Sequence, residues 1–154
     1  MAVASKLRSH MNRCGTTFEQ IPHACTFDMS NAAHAAHISG KKVAKGVVLK
    51  TDNQFILAVL PASRKVNLTW IHDWLGRQVG LATEAETVTK FPDCEFGAVP
   101  PVGAAYGLLT IVDADILDED EIYFEGGDHQ TLVAVSSSDW HRLMGNAIHF
   151  SFSA

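Results

Sequence analysis

Val43-Ala44-Lys45-Gly46-Val47-Val48-Leu49-Lys50 and Gln54-Phe55-Ile56-Leu57-Ala58-Val59-Leu60-Pro61, separated by Thr51-Asp52-Asn53, decide the fold class. Both runs are apolar and rich in β-branched residues, and the polar break between them is the clearest hairpin signal in the chain. Alternation sets Val43, Lys45, Val47 and Leu49 on one face, so Lys45 shares its face with apolar side chains. A lysine placed there costs free energy unless it meets an anion or lines a wet pocket. On the residues alone, an edge or misregistered strand is the commoner explanation.

Outward from the hairpin, Asn67 caps a helix through Trp70, Ile71 and Trp74 to a stop at Gly76. Thr83 and Glu86 form a capping box that opens a short helix, TEAETVTKF. Strands are predicted at 108–112, 121–125, 131–135 and 147–152, with a helix at 138–144 before Gly145. Toward the N-terminus, Val3, Leu7 and Met11 recur at helical spacing over 3–13, ahead of Gly15 and a short strand at 16–20. Ser30 or Asp28 can cap an Ala-rich helix, SNAAHAAHIS, ending at Gly40 where a left-handed residue is expected. The pattern is α+β. No repeat or linker divides it, so residues 1–154 read as a single domain.

No segment approaches the roughly 20 unbroken apolar residues of a spanning helix. The N-terminus MAVASKLRSHMNR turns polar and basic where a secretory signal is apolar, so a cytoplasmic location without membrane contact is expected. Cys14, Cys25 and Cys94 are an odd set without C-x-x-C spacing, which argues against a disulfide framework or a four-thiolate zinc site. The net charge of −5 argues against a protein that grips nucleic acid by bulk electrostatics, although the distribution of charge matters more than its sum. The charges are nonetheless segregated: Lys41, Lys42, Lys45, Lys50, Arg64 and Lys65 cluster within 41–65, and every charged residue of 113–128 is acidic. Such asymmetry suits a local anion site, or equally solvated loop charges on unrelated faces.

Gly97-Ala98-Val99-Pro100-Pro101-Val102-Gly103 is the least ordinary segment. Its prolines fix φ and remove two donors, while the flanking glycines let other N–H groups approach a ligand, as an oxyanion site requires. On composition alone, a structural Pro-Pro turn is the commoner case. His34 and His37 stand at i, i+3 with His23 and Cys25 upstream, but they lack an embedded base and a second ligand pair, so no metal is expected. His72 and His141 sit on amphipathic helices beside tryptophans. No G-x-S-x-G elbow, Walker loop or G-x-G-x-x-G fingerprint occurs.

Taken in order, VAKGVVLK at 43–50, ILAVLPASRKVNL, FGAVPPVG at 96–103, TIVDADIL at 110–117 and IYFEGGDHQTLVAV at 122–135 resemble the YbaK/EbsC-like family, which includes domains associated with prolyl-tRNA synthetase. The resemblance spans roughly residues 24 to 146. It implies a mixed, partly closed β-barrel surrounded by helices, and hydrolysis of an aminoacyl-tRNA ester by a free-standing enzyme. The family's lysine falls on Lys45. Its loop falls on Gly97 to Gly103, making Lys45, Gly97 and Gly103 the expected catalytic positions, with Ala98, Val99, Pro100 and Pro101 against the aminoacyl group. Cysteine-specific members carry a serine before the Gly-Gly and an aspartate beyond it, where this chain has Glu125 and Leu132. Alanine-specific members carry Asn after the lysine and a His-Pro pair, where this chain has Gly46 and Gly126-Gly127. Gly127, Asp128 and His129 are therefore expected to form a selective wall.

An aminoacyl ester is already activated, so positioning and carbonyl polarisation suffice, with water as nucleophile and no metal or organic cofactor. The substrate is expected to be a small amino acid (Ala, Ser, Thr or Cys) on a tRNA, with tRNA-Pro a candidate. Lys41, Lys42, Lys50, Arg64 and Lys65 are expected to meet its phosphates, with a synthetase partner available to select the tRNA. The alternatives are a non-catalytic module that binds a nucleotide or the tRNA acceptor end, and a His/Cys metal protein.

Overall fold

The computed structural model describes residues 3–26 and 29–154. Its first half comprises α1 (Ser5–Arg13), β1 (Glu19–Pro22), α2 (Met29–Ala35), β2 (Val43–Lys50), β3 (Phe55–Pro61) and α3 (Leu68–Leu75). The second half comprises β4 (Gly80–Leu81), α4 (Glu84–Lys90), β5 (Leu109–Asp113), β6 (Glu121–Glu125), β7 (Thr131–Ser136), α5 (Ser137–Met144) and β8 (Ile148–Phe150).

β2 and β3 form the expected antiparallel hairpin, from Ala44 opposite Pro61 to Lys50 opposite Phe55. The sheet runs β1-β7-β6-β2-β3-β5-β8, with β4 added beside β2. It is mixed: β2/β6, β3/β5 and β5/β8 are parallel and the other pairs antiparallel. Its ends, β1 and β8, do not pair with each other, so the barrel is partly closed. Ala44, Val48, Leu57, Val59, Val112, Ile122, Phe124, Val133 and Val135 from five strands share one interior cluster. Leu7 and Met11 of α1, with Trp140 and Leu143 of α5, complete it, and the Trp140 ring lies 5.8 Å from that of Phe124. Across β2 and β3, Leu49, Ile56, Ala58 and Leu60 pack beneath Ile71 of α3 and Phe152. Fully burying each such side chain contributes about 1.5–3 kcal/mol.

Local signals act where expected at two helix starts. Asn67 accepts from the Trp70 N–H, and Thr83 and Glu86 form the reciprocal capping box. Other boundaries move. α2 stops at Ala35 rather than running to Gly40, and the left-handed residue is His37, φ 60°. The Ile38 N–H closes this end on the Ala33 carbonyl, and Gly40 instead opens a short 3-10 turn against Ser63. Of the two expected caps, Ser30 falls inside the helix and Asp28 lies outside the described residues. The first strand forms three residues later than expected and ends at Pro22, where β1 borders the sheet and a missing N–H costs little.

Asp113 ties the C-terminal segment to the sheet. It is fully buried, accepting from the Asp115 N–H through Oδ1 and from the Phe152 N–H and the Ser153 hydroxyl through Oδ2. Removing a buried acceptor strands its donors. Asp113→Ala is expected to lose about 3 kcal/mol of unfolding free energy, measured by urea denaturation; a loss below about 0.5 kcal/mol, the range of ordinary surface substitutions, would contradict the role.

Candidate active site

β2 and β6 run together only briefly. Val43 pairs with Tyr123 and Ala44 with Phe124, and the ladder then ends. Lys45 is the next residue in line with Glu125, on the face that holds Val43 and Tyr123. Its half-buried ammonium donates to the Ala62 carbonyl at 3.4 Å. Gly46 points the other way: a Cβ there would meet Val99 Cγ1 at 3.2 Å and Pro101 Cα at 3.4 Å. The Pro-Pro loop thus lies against the interior side of β2, and strand alternation turns Lys45 to the opposite side.

Glu125 organises the turn after β6. It is 2% exposed, and its Oε2 accepts from the N–H groups of Gly127, at 2.7 Å, and Asp128, at 3.3 Å. Its Oε1 lies 4.0 Å from His129 Nδ1. Burial pushes the carboxyl above its ordinary range, and the Gly127 N–H and His129 pull it only partly back. His129, 6% exposed, has φ 63°, rare outside glycine. Its Nε2 donates to the Phe96 carbonyl at 2.5 Å, which assigns a proton to that nitrogen. The Glu95 N–H donates to the Gly127 carbonyl at 2.8 Å, and Gly97 Cα carries its absent Cβ direction toward the His129 ring. Two walls, 93–97 and 127–130, are joined by these interactions.

Between them lies a cavity of about 650 Å³ lined by residues that include Cys25, Asp93, Cys94, Phe96, Asp128 and His129. Beyond Phe96 a smaller one, about 240 Å³, is lined by Gly46, Val47, Val48, Gly97 and Val99 with Leu81 and Ala82. Asp128 folds back on its own turn, accepting from the Gln130 N–H and the Thr131 hydroxyl. Tyr106 donates to Asp93 Oδ1 at 2.8 Å. Burial works against ionised Asp93, but the Lys6 N–H and the Tyr106 hydroxyl hold its carboxyl below the usual range. Burial beside this carboxylate pushes the Cys94 thiol up to about 12.

Of the expected loop residues, Ala98, Pro100 and Pro101 are buried, Val99 is half-buried and Gly97 is exposed. Gly103 belongs to a different neighbourhood, where a Cβ would fall 1.9 Å from Thr110 Oγ1. The basic residues are likewise divided. Lys41, Lys42, Arg64 and Lys65 flank the start of β2 and the end of β3; Lys50 is at the opposite end of β2, paired at 2.5 Å with Glu86. Arg64 is paired with Asp115. Among the described residues no cluster of His, Cys, Asp and Glu could hold a metal ion, and no helix is long and apolar enough to cross a membrane. Glu125 and the Phe96 carbonyl emerge only in three dimensions; the sequence signal for Glu125 is an acid in an apolar strand directly before Gly-Gly.

The raised Glu125 carboxyl makes a signed prediction. The folded protein binds that proton more tightly than the unfolded chain, so stability falls as pH rises from the ordinary carboxylate range through the raised folded value. Glu125→Gln, which keeps an acceptor for the Gly127 N–H, is expected to remove that part of the slope in denaturant titrations at a series of pH values. Parallel slopes for the two proteins would refute the burial-driven shift.

Residues 23–143 match the model of the aminoacyl-tRNA editing domain family. The multifunctional Ser/Thr-tRNA deacylase ProXp-y of Escherichia coli (strain K12) is 26% identical over 144 residues, covering 90% of this chain and 86% of that protein. The crystal structure of hypothetical protein APE2540 superposes with a TM-score of 0.85 at 22% identity, over 97% of this chain and 100% of the other. That of a candidate trans-editing enzyme for prolyl-tRNA synthetase gives 0.83 at 19% identity, over 97% and 95%. These likenesses fix the fold, and the family match extends over most of the chain. The chain belongs to the aminoacyl-tRNA editing domain family, hydrolases that act on aminoacyl-tRNA.

Proposed function

We propose that this protein deacylates tRNA carrying a small hydroxylated amino acid, serine or threonine, with alanine and cysteine as the competing small side chains. The observation that carries this reading is the cavity between the 93–96 and 127–130 walls, where carboxylate, thiol and imidazole side chains meet apolar surface, with Gly97 next along the chain and facing the His129 ring. The likeness to a Ser/Thr-tRNA deacylase supports the choice of side chain.

The ester carbonyl is attacked by water, which gives up a proton as the carbonyl oxygen becomes anionic. The tetrahedral species then expels the terminal ribose oxygen, which takes up a proton, and a free amino acid and a tRNA hydroxyl result. The substrate's neighbouring ribose hydroxyl is placed to assist the water. In the Pro-Pro loop the Ala98 N–H is already bound to the Glu95 carbonyl and the prolines have none, so the N–H groups of Gly97 and Val99 are the donors suited to the developing charge. Lys45 supplies a fixed positive charge for the terminal phosphate, and His129 sets the spacing of the walls. A site that hydrogen-bonds a substrate hydroxyl rejects an analogue lacking it far better than an apolar pocket rejects one methylene, worth about 1–3 kcal/mol.

A deacylation panel of tRNAs charged with Ala, Ser, Thr, Cys and Pro tests the reading, with Ser and Thr expected fastest. Binding without turnover on all five would instead favour a non-catalytic acceptor-end module. Lys45→Ala is expected to lower kcat/KM on the best substrate on the order of a hundredfold with an unchanged melting temperature; a variant as active as the parent removes Lys45 from the chemistry.

His129→Ala separates two roles. With Nε2 engaged by Phe96, the substitution is expected to slow every aminoacyl-tRNA by a similar factor, because it releases one wall from the other. A selective loss on Ser- and Thr-tRNA would show instead that the imidazole reads the substrate hydroxyl.

A further inference from the structure

Lys6 and Arg13 stand seven residues apart on α1, two helical turns, and therefore on one face. With Ser5, Ser9, Ala105 and Tyr106 they line a groove of about 370 Å³. Two cations and the Ser9 hydroxyl around an open groove are a donor set suited to a phosphate-binding surface. α1 itself contains no acidic residue, in a chain whose net charge is −5. The ammonium of Lys6 lies 5.9 Å over the Tyr106 ring, an arrangement that leaves its hydrogen-bond donors available.

The groove adjoins the candidate active site at the start of α1. The Ala4 N–H, at the start of α1, donates to the Gly126 carbonyl at 2.9 Å, and Ala4 also lines the 650 Å³ cavity. One residue into the helix, the Lys6 N–H donates to Asp93 Oδ2 at 2.8 Å, and Asp93 is part of the same cavity wall. Asp93 borders the groove, and its two oxygens already accept from the Lys6 N–H, the Ser5 hydroxyl and the Tyr106 hydroxyl. By contrast, two members of the basic set in 41–65 are engaged elsewhere, Lys50 by Glu86 and Arg64 by Asp115.

We propose that this face of α1 is the docking surface for the phosphate backbone of the tRNA acceptor stem, leading the charged 3′ end into the cavity beside it. The assignment rests on the deacylase reading for what enters the cavity, but it specifies an RNA surface that can be tested by itself. At about 1.5 Å per residue, Lys6 and Arg13 span about 10 Å of the helix, enough to bridge neighbouring phosphates of one strand. Removing one cation from a bound phosphate makes the salt dependence of binding shallower by a slope of about 0.7–0.9.

The test is the double charge reversal Lys6→Glu/Arg13→Glu, with circular dichroism and thermal melting to establish the native fold. Binding of uncharged tRNA is measured against salt concentration, alongside deacylation of Ser-tRNA and of a seryl ester of the terminal adenosine alone. The expected result is tRNA binding weakened tenfold or more, a log–log salt slope shallower by about 1.4–1.8, a raised KM with kcat kept on Ser-tRNA, and unchanged hydrolysis of the small ester. Unchanged tRNA affinity and slope in the folded variant would overturn the proposal. So would the same losses arising from Lys41→Glu/Lys42→Glu/Lys65→Glu and not from the α1 variant. If the parent binds tRNA but hydrolyses neither substrate, the deacylase reading fails, while the binding comparison still decides the surface. A double variant that fails to fold is replaced by Lys6→Gln/Arg13→Gln, for which the same binding losses are expected at smaller size and unchanged affinity is equally fatal.

Discussion

The parting of β2 from β6 after the Ala44–Phe124 pair is the constraint from which the site follows. Had the parallel ladder continued, Lys45 and Gly46 would face a neighbouring strand, and Glu125 would be followed by further pairing in place of a turn. Instead β6 ends in Gly126-Gly127, the chain reverses through Asp128 and His129, and β7 returns antiparallel from Thr131. On the interior face of β2 beside this gap, Leu57, Val99 and Pro101 crowd Gly46, where a Cβ would lie 3.0 Å from Leu57 Cδ1 and 3.2 Å from Val99 Cγ1. Leaving the edge of a strand unpaired costs backbone hydrogen bonds unless water or a ligand supplies them. Here that edge borders the 240 Å³ cavity, where a ligand can reach main-chain groups.

Two buried carboxylates show how differently the fold employs the same chemistry. Asp113 is surrounded by donors from its own turn and from the C-terminal segment, so its two oxygens are satisfied by hydrogen bonds that hold that segment against the sheet. Glu125 has two main-chain donors on one oxygen and an imidazole 4.0 Å from the other. Burial is thus incompletely compensated, which is the physical cause of its raised proton affinity. A buried carboxyl held this way is costly in a purely structural role, and its place in the turn that walls the cavity marks that turn as a candidate functional site.

Much of this fold was legible in the sequence because its signals are local. β2 and β3 declare themselves by β-branched runs, α3 and α4 by Asn67 and by the Thr83–Glu86 box, and all four formed where those residues require. The less legible elements depend on distant partners. β4 is two residues long and exists through its pairing with Leu49 and Lys50, and α2 ends at a left-handed His37 that no residue-type rule selects ahead of Gly40. Within the site, the proline loop and the Gly-Gly turn stood out by composition. That His129 meets Phe96 was not readable, since 33 residues separate them and only the curl of the sheet brings them together. Clustering in sequence also misled for Lys50, because an eight-residue strand carries it to the far end of the hairpin from Lys41 and Lys42.

Under the proposed deacylase function, the cavity's own side chains leave catalysis to placement. A cysteine acts as nucleophile through its thiolate, and burial next to Asp93 holds Cys94 protonated far above neutral pH. Tyr106 is raised in the same way and donates its proton to Asp93. His129 turns Nε2 to the Phe96 carbonyl and Nδ1 toward Glu125, so neither ring nitrogen is directed at the cavity as a base. What the walls do offer is rigidity: a carboxylate binding its own turn, an imidazole tied across to the facing loop, and two prolines with fixed φ. For an ester that water already hydrolyses slowly, holding the carbonyl against fixed N–H dipoles and excluding alternative poses acts directly on the barrier, and well-oriented reactants can supply about 7–11 kcal/mol. On the same reading, the fixed distance between the walls limits the size of the side chain admitted, and recognition of its hydroxyl adds to that limit.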